Sequence, residues 1–459
     1  MCFLCLGWQK PLLVMIWIEL ILLLACIVIG ARLGGIALGT VAGIGLLIFV
    51  FFFGLPPGGP PPGVLGMIIA VITALAAMQA AGGLDYLVSL AEGILKKRPQ
   101  FITFIAPIVT YVLVMASGTT HVIYALLPVI AEVSRKGNVR PERPLSISVI
   151  AGFSGAMASP ISPSTVAMLG FFAPNGLSLP RLLMIMIPAT FTGVILGALS
   201  VAWRGKKLDE DPEYQKRLAA GLVKPATASS PELKKTSLRN ARGSMLLFLA
   251  GILAVVLIGI FPGLRPLYEV TNGSGITDSD QVSMGNAIMI VMIAVAGLIM
   301  ILFKASPEAT LKGTIMRSGL TAIISILGVS WLGSSFFEGN RNYVVAQISE
   351  LVQVYPIAFA AGMFLLSTLL FSQAATVSLL MPVGLALGIP VPMLIGFYPA
   401  AEGLFFLPTY GTVLAAVSFD QTGTTRIGKY LLNHSFMRPG LVTMISTLVM
   451  AVLLSKLLT

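Results

Sequence analysis

Charge is scarce in this 459-residue chain: Asp, Glu, Lys and Arg make up 10% of it, histidine occurs twice and cysteine three times. So few ionic side chains cannot clothe a water-exposed surface on a chain that is 56% hydrophobic, with a mean hydropathy of +0.95. The surrounding medium is therefore lipid. Cys2, Cys5 and Cys26 all lie at the front of the chain, so no disulfide framework or thiolate cage organises the rest. The Cys2–Cys5 pair has neither a second pair nor a nearby histidine to complete a metal site, and no role is assigned to it. Paired acids and histidine-rich sets are missing from the apolar stretches, which argues against a membrane-embedded hydrolase. At about 20 apolar residues per crossing, the chain holds roughly ten to twelve membrane segments and leaves no room for a catalytic domain. The 29 Lys and Arg against 18 Asp and Glu give +11, which basic cytoplasmic loops explain better than a nucleic-acid partner does.

Apolar stretches fall at roughly 15–31, 35–54, 63–81, 101–116, 146–173 and 181–203, and again at 244–261, 282–303, 314–337, 356–371, 392–419 and 436–456. Leu23 to Cys26 looks faintly like a lipoprotein cleavage site, but Glu19 interrupts the preceding apolar run and many segments follow, so a retained first helix is expected. Between the two sets lies a polar linker at 204–243 with ten Lys or Arg, five Asp or Glu, Pro225, Pro231, Ser229 and Ser230. It reads as a cytoplasmic loop. Counting crossings outward from it puts both termini outside; the acidic loop at 262–281 falls outside as well, while Arg32, Lys304 and Lys312 fall inside.

One stretch breaks the count. Lys96, Lys97 and Arg98 precede 101–134, and Arg135, Lys136, Arg140 and Arg143 follow it, so both ends are cytoplasmic. The stretch is expected to enter and return as a re-entrant hairpin with Ser117-Gly118-Thr119-Thr120-His121 at its tip. The 356–389 stretch has the same form, with Ser372-Gln373-Ala374-Ala375-Thr376 at its midpoint, and enters from outside. A proline-interrupted segment follows each: Ser159-Pro160-Ile161-Ser162-Pro163-Ser164 in one half, Leu407-Pro408-Thr409-Tyr410 in the other. The expectation is an all-α polytopic membrane protein made of two inverted-topology repeats, the plan of secondary transporters. Its divisions are an N-terminal extension at 1–14, unstructured or not native, a first repeat at 15–203, the linker, and a second repeat at 244–459.

Broken backbone at membrane depth survives only where it is buried in protein or lines a wet cavity, so four breaks imply one shared polar site. Half-helix N-termini there offer free N–H groups and partial positive charge to an anion, while exposed carbonyls suit cations. Neither tip carries Arg or Lys. The candidate substrate residues are Ser117, Gly118, Thr119, Thr120, His121, Ser159, Pro160, Ser162, Ser372, Gln373, Thr376, Pro408, Thr409 and Tyr410. Taken singly, each hydroxyl is more simply read as helix packing; their matched clustering favours a site. His121 is open to three roles: proton carrier, substrate donor or packed polar residue. Glu402 is an acid in an apolar run, a candidate for coupling or substrate selectivity. It is either protonated, holding a cation, contacting the ammonium of an amino-dicarboxylate, or away from the site. Asp85 and Glu338 are expected at solvated helix ends, and Asp420 to Arg426 form a cytoplasmic turn, solvated or gating.

Several ordered motifs carry a family resemblance: Ala77 to Leu87 (AMQAAGGLDYL), Ala106 to Tyr111, Leu127 to Glu132, Ala158 to Ser162, Ser372 to Thr376, Leu407 to Tyr410 and Thr422 to Lys429. In these the chain resembles the anaerobic four-carbon dicarboxylate (Dcu) carriers of the A type, from about residue 15 to the end, which makes Met15 a candidate native start. The resemblance implies bacterial inner-membrane antiport of fumarate, malate, aspartate and succinate. It implies no cofactor; a coupling proton or sodium ion belongs to the alternative of net uptake. By analogy with carriers that pair hairpins with inverted repeats, elevator-like movement against a homodimeric scaffold is expected. Thr120 stands where such carriers usually have Gly, and Glu402 where they are usually uncharged. Those are the positions at which substrate preference and coupling would diverge.

Overall fold

The computed structural model describes residues 12–60, 62–223, 237–271, 277–370, 372–408, 410–428 and 433–458. Cys2, Cys5, most of the N-terminal extension, Pro225, Ser229, Ser230, Pro231, Thr409 and Lys429 lie outside the described residues.

The first half runs α1 (Leu12–Leu33), α2 (Ala37–Leu47, prolonged by a π turn Ile48–Phe52), α3 (Pro62–Ala80), α4 (Gly83–Leu95), α5 (Ile102–Ser117), α6 (Ile123–Lys136), α7 (Glu142–Met157), α8 (Pro163–Phe172) and α9 (Leu179–Ala202). After a short α10 (Pro212–Ala219) come α11 (Leu238–Ile260), strands β1 (Leu267–Thr271) and β2 (Thr277–Gln281), α12 (Met284–Phe303) and α13 (Pro307–Lys312). Next are α14 (Thr314–Val354), α15 (Ile357–Leu370), α16 (Gln373–Ala386), α17 (Val391–Phe397) with a 3-10 stretch Tyr398–Phe405, α18 (Gly411–Phe419) and α19 (Met437–Leu458). Among the described residues, seven helices are long and apolar enough to cross a bilayer, and five shorter apolar helices accompany them. Large apolar side chains such as Phe51 (81% exposed) and Ile301 (76%) point outward, as a lipid-facing surface requires.

Three elements were not anticipated. α4 is amphipathic: Leu84, Val88, Ala91 and Leu95 are buried while Leu90 and Ile94 are exposed. The 262–281 loop folds into an antiparallel β-hairpin pairing Leu267 with Gln281 and Thr271 with Thr277. The linker is not simply solvated, because Asp211 caps α10 and binds Arg140, which also holds Glu142 at the start of α7. Arg143 closes the end of α9 by donating to the carbonyls of Ala202, Arg204, Gly205 and Lys206. Ser435 donates to Glu142, and Thr424 accepts from its amide, so the same cluster reaches the last helix.

Seven of the helix contacts form a symmetric set. α2 packs on α14 and α3 on α12; α5 packs on α7 and α15 on the 398–405 stretch; α6 packs on α18 and α8 on α16; α9 packs on α19. Exchanging corresponding elements of the two halves returns the same set of pairs. Small residues allow the closest of these approaches. A Cβ on Gly39 would lie 2.0 Å from the Ile324 carbonyl oxygen, and one on Gly328 equally near the Gly39 oxygen. Gly193 and Gly197 meet Thr447 and Thr443, each pair one helical turn apart.

α5 and α6 form a helix–break–helix pair whose open ends adjoin, since Gly137 beyond α6 abuts Pro99 ahead of α5. α15 and α16 do the same, with Gly384 near the end of one against Phe359 near the start of the other. α1, α2 and α14 share a second core around Leu23, Ile27, Ala42, Phe49, Val329 and Leu332, joined there by Leu370, Ala375 and Leu379 of α15 and α16 and separate from the main core.

Candidate functional site

Four helices begin at the chain breaks, and the way each begins is written in its first residues. α5 ends at Gly118, whose φ of +70° turns the chain out of the helix while its N–H still reaches the Val114 carbonyl at 2.8 Å. Thr119 is then extended and its hydroxyl accepts the His121 amide, opening the turn that leads into α6. Ser162 caps α8 by accepting from the Thr165 amide, with Pro163 at the first helical position. Thr165 in turn donates towards the Met157 carbonyl, tying the end of α7 to the start of α8 across the break. Ser372 caps α16 through the Ala375 amide, and Tyr410 stands at the head of α18.

Thr119, Ser162, Ser372 and Tyr410 all line one cavity of about 140 Å3. That is room for several waters and so for a small organic acid. Its walls are the first tip (Ser117 to His121), the first break (Ile161 to Ser164), the second tip (Ser372 to Ala374), α3 (Ile68, Val71, Ile72, Leu75) and α14 (Ile315, Ser318, Gly319, Ala322), with Leu404 and Tyr410. No Lys or Arg is among the lining residues. Positive potential therefore comes from the helix N-termini, each carrying roughly half a charge together with unpaired N–H donors.

Of the candidate residues, Ser117, Gly118, Thr119, Thr120, His121, Ser162, Ser372, Gln373 and Tyr410 reach the cavity. Ser159, Pro160, Thr376 and Pro408 do not line it: they are buried behind it, with the Thr376 hydroxyl donating back to the Ser372 carbonyl at 2.8 Å. Thr409 lies outside the described residues. His121 pairs with Thr119, Nδ1 to Oγ1 2.9 Å; when the hydroxyl donates there, Nε2 carries the ring proton. Thr120 hydrogen-bonds the Tyr410 hydroxyl, joining the first tip to the last break.

Glu402 is fully buried and does not line the cavity. Ser154 on α7 donates to its Oε1 at 2.7 Å, while Oε2 has no hydrogen-bond partner among the described residues. Neighbouring Phe153 is held from the same half: Gln373 donates to its carbonyl at 3.1 Å and Tyr410 packs edge-on against its ring at 5.3 Å. The pair Phe153–Ser154 is thus a second point, after Glu142, where the second half grips α7. Asp85 and Glu338 are exposed. Asp420 is only 3% exposed and accepts from the amides of Thr422 and Thr425, so the carboxylate at the head of that turn is buried and held by the turn's own backbone rather than by solvent.

Ser318 was missed by motif reading, since α14 has no break at that level. The available signal is spacing: Ser318, Thr321 and Ser325 recur at three and four residues and therefore share a helix face.

Comparison with known proteins identifies the family. The family model described as "Anaerobic c4-dicarboxylate membrane transporter" matches residues 15–459. The chain is 41% identical over 428 residues to the C4-dicarboxylate transporter DcuA of Wolinella succinogenes, covering 93% of this chain and 96% of that one. It is equally similar to DcuA of Escherichia coli K12, over 429 residues, and 39% identical to the anaerobic C4-dicarboxylate transporter DcuB of E. coli O6:H1 over 436, with 93% of this chain covered in each case and 96% and 95% of the relatives. Among solved structures, the Alcanivorax borkumensis YdaH transporter superposes with a TM-score of 0.58 at 15% identity, covering 97% of this chain and 98% of that one, a likeness of fold alone. With a family match across nearly its whole length, the chain belongs to the anaerobic C4-dicarboxylate membrane transporters, and it is a membrane transporter rather than an enzyme.

Proposed function

We propose that the chain exchanges four-carbon dicarboxylates (aspartate, fumarate, malate and succinate) across a bacterial inner membrane by alternating access, with an elevator-like movement. The observation that carries this reading is the meeting of four helix N-termini, at Thr119, Ser162, Ser372 and Tyr410, around one small cavity free of Lys and Arg. Two pairs of N-termini contributed by two halves suit a molecule with a carboxylate at each end. Hydroxyls and the Gln373 amide supply directed donors. The apolar walls from α3 suit the carbon chain between the carboxylates.

The helix pairings that survive exchange of the halves support an inverted duplication. The adjoining ends of α5–α6 and α15–α16 support re-entrant hairpins. In this reading α1, α2 and α14 belong to a scaffold, dimeric in the membrane, against which the hairpins and broken helices move, and Leu370, Ala375 and Leu379 of the second hairpin pack on it. Both termini lie on the periplasmic side by the charge count. Exchange among fumarate, malate and succinate, all dianions, moves no net charge, whereas exchange of aspartate, whose ammonium leaves it at −1, for any of them moves one.

Proton- or sodium-coupled net uptake is a second reading, and it draws on the partnerless Oε2 of Glu402. Reconstituted vesicles separate the two. Under exchange, labelled succinate enters only when the lumen holds a dicarboxylate; equal uptake into empty vesicles, dependent on a cation gradient, would overturn antiport.

A further inference from the structure

A second cavity, of about 400 Å3, adjoins the first. The two share His121, Ser318, Ala322, Ser372 and Tyr410, so they lie side by side at the hairpin tips. The second is floored by the Gly34–Gly35 turn between α1 and α2 and walled by Thr321 and Ser325 of α14. Its position along the membrane follows from the chain. The 34–35 turn comes just after Arg32, and α14 begins just after Lys304 and Lys312, all on the cytoplasmic side by the charge count. Ser318 to Ser325 lie four to eleven residues into α14, roughly 6 to 17 Å from its start at 1.5 Å per residue, which runs from the cytoplasmic half to about the midplane of a hydrocarbon core about 30 Å thick.

The α14 hydroxyls there are unusual for a membrane helix. A Ser or Thr in such a helix commonly turns its hydroxyl back to a carbonyl one turn earlier, as Thr321 does to Arg317 at 3.0 Å. The hydroxyls of Ser318 and Ser325 make no such bond among the described residues, although Ser325 is only 5% exposed. They are donors held open on the wall of the second cavity. Arg32 and Arg317, both exposed, stand beside the turn and the start of the stripe and supply the attractive potential that a dianion leaving bulk water meets first.

We propose that the Ser318–Thr321–Ser325 face of α14 is the cytoplasmic passage of the transporter, a file of hydroxyls that contacts the dicarboxylate between the cytoplasm and the hairpin tips, and that the structure shows this passage open. The proposal rests on the dicarboxylate reading of the site above. The rigid position of α14, clamped by Gly319 against Ile72 of α3 and by Gly328 against Gly39 of α2, makes it the fixed wall past which the tips would move.

The test uses the full chain with Cys2→Ser, Cys5→Ser and Cys26→Ala as parent, carrying Ser318→Cys, Thr321→Cys, Ser325→Cys or, as control, Leu320→Cys, whose side chain is 47% exposed on the lipid-facing side. Vesicles of both orientations are treated with a charged, impermeant methanethiosulfonate. The three stripe positions are expected to react from the cytoplasmic face. Succinate at ten times its half-saturating concentration is expected to slow them about tenfold, as occupancy of a single site dictates, and Leu320→Cys is expected to ignore it. Reaction from the periplasmic face only, or no slowing by succinate in a parent that still exchanges succinate, would overturn the passage. A parent that moves no dicarboxylate at all would overturn the functional reading instead, and cytoplasmic-face labelling would still judge the route.

Discussion

The bond between Ser154 and Glu402 offers a sharp test of what an intramembrane acid does here. Both residues are fully buried, they come from opposite halves of the chain, and the Ser154 hydroxyl is the partner of Glu402 Oε1 at 2.7 Å. Ser154→Ala strips that partner from a group that water does not reach, a loss of about 1–3 kcal/mol. Glu402→Gln keeps an oxygen acceptor at the same place, so it is expected to be milder. In a double-mutant cycle read by thermal unfolding of the purified protein, the two substitutions are expected to couple by about 1 kcal/mol or more, because they share one contact. Transport separates this structural role from a substrate role. Glu402 does not line the cavity, so the ratio of half-saturation constants for aspartate and succinate is expected to be unchanged in Glu402→Gln. A tenfold change in that ratio, about 1.4 kcal/mol of selectivity, with no coupling to Ser154, would refute the reasoning and return the carboxylate to the substrate's ammonium group.

Three further outcomes follow from packing and charge. Arg140→Met leaves the carboxylates of Glu142 and Asp211, with side chains 5% and 6% exposed, without their shared cation; about 3–5 kcal/mol of destabilisation is expected, against less than about 1 kcal/mol for Lys312→Met, whose partner Glu308 is 74% exposed, both read by thermal unfolding. Gly328→Val drives a side chain into the backbone of α2 at Gly39, and loss of the folded monodisperse protein in size-exclusion chromatography is expected. Gly118→Ala asks a side chain to occupy φ +70° with its Cβ 2.8 Å from Ile161, a strain of about 1–2 kcal/mol; slower exchange is expected while the amount of protein in the membrane is retained.

Much of this arrangement was legible in the sequence because lipid imposes strict rules on the backbone. Polar, glycine- or proline-bearing interruptions at 117–121, 159–164, 372–376 and 407–410 stand out against apolar runs, and three of the four helix-capping residues that meet at the cavity were readable as Ser or Thr ahead of a helix. Charge bias located the linker, but not its docking: Asp211 and Arg140 are 71 residues apart and only tertiary packing brings them together. The same limit applies to Glu402, whose partner Ser154 is 248 residues away. α14 carried its signal differently. Its hydroxyls sit in an unbroken apolar helix, where helical spacing marks one face but does not say which neighbour that face meets. α4 and the β-hairpin were missed because each is short and lies outside the apolar segments on which a membrane reading concentrates.

The central claim is that four helix N-termini from two halves hold one dicarboxylate between them. Equilibrium binding of labelled succinate to purified wild-type protein, to Thr119→Val, to Ser372→Ala and to the double variant tests it most directly. Each single change removes a hydroxyl that lines the cavity and caps a helix, and an affinity loss of about 1–2 kcal/mol, roughly 5- to 30-fold, is expected. The double variant is expected to bind more weakly still, with all four proteins eluting as the same folded species. Wild-type affinity in the double variant would contradict the account.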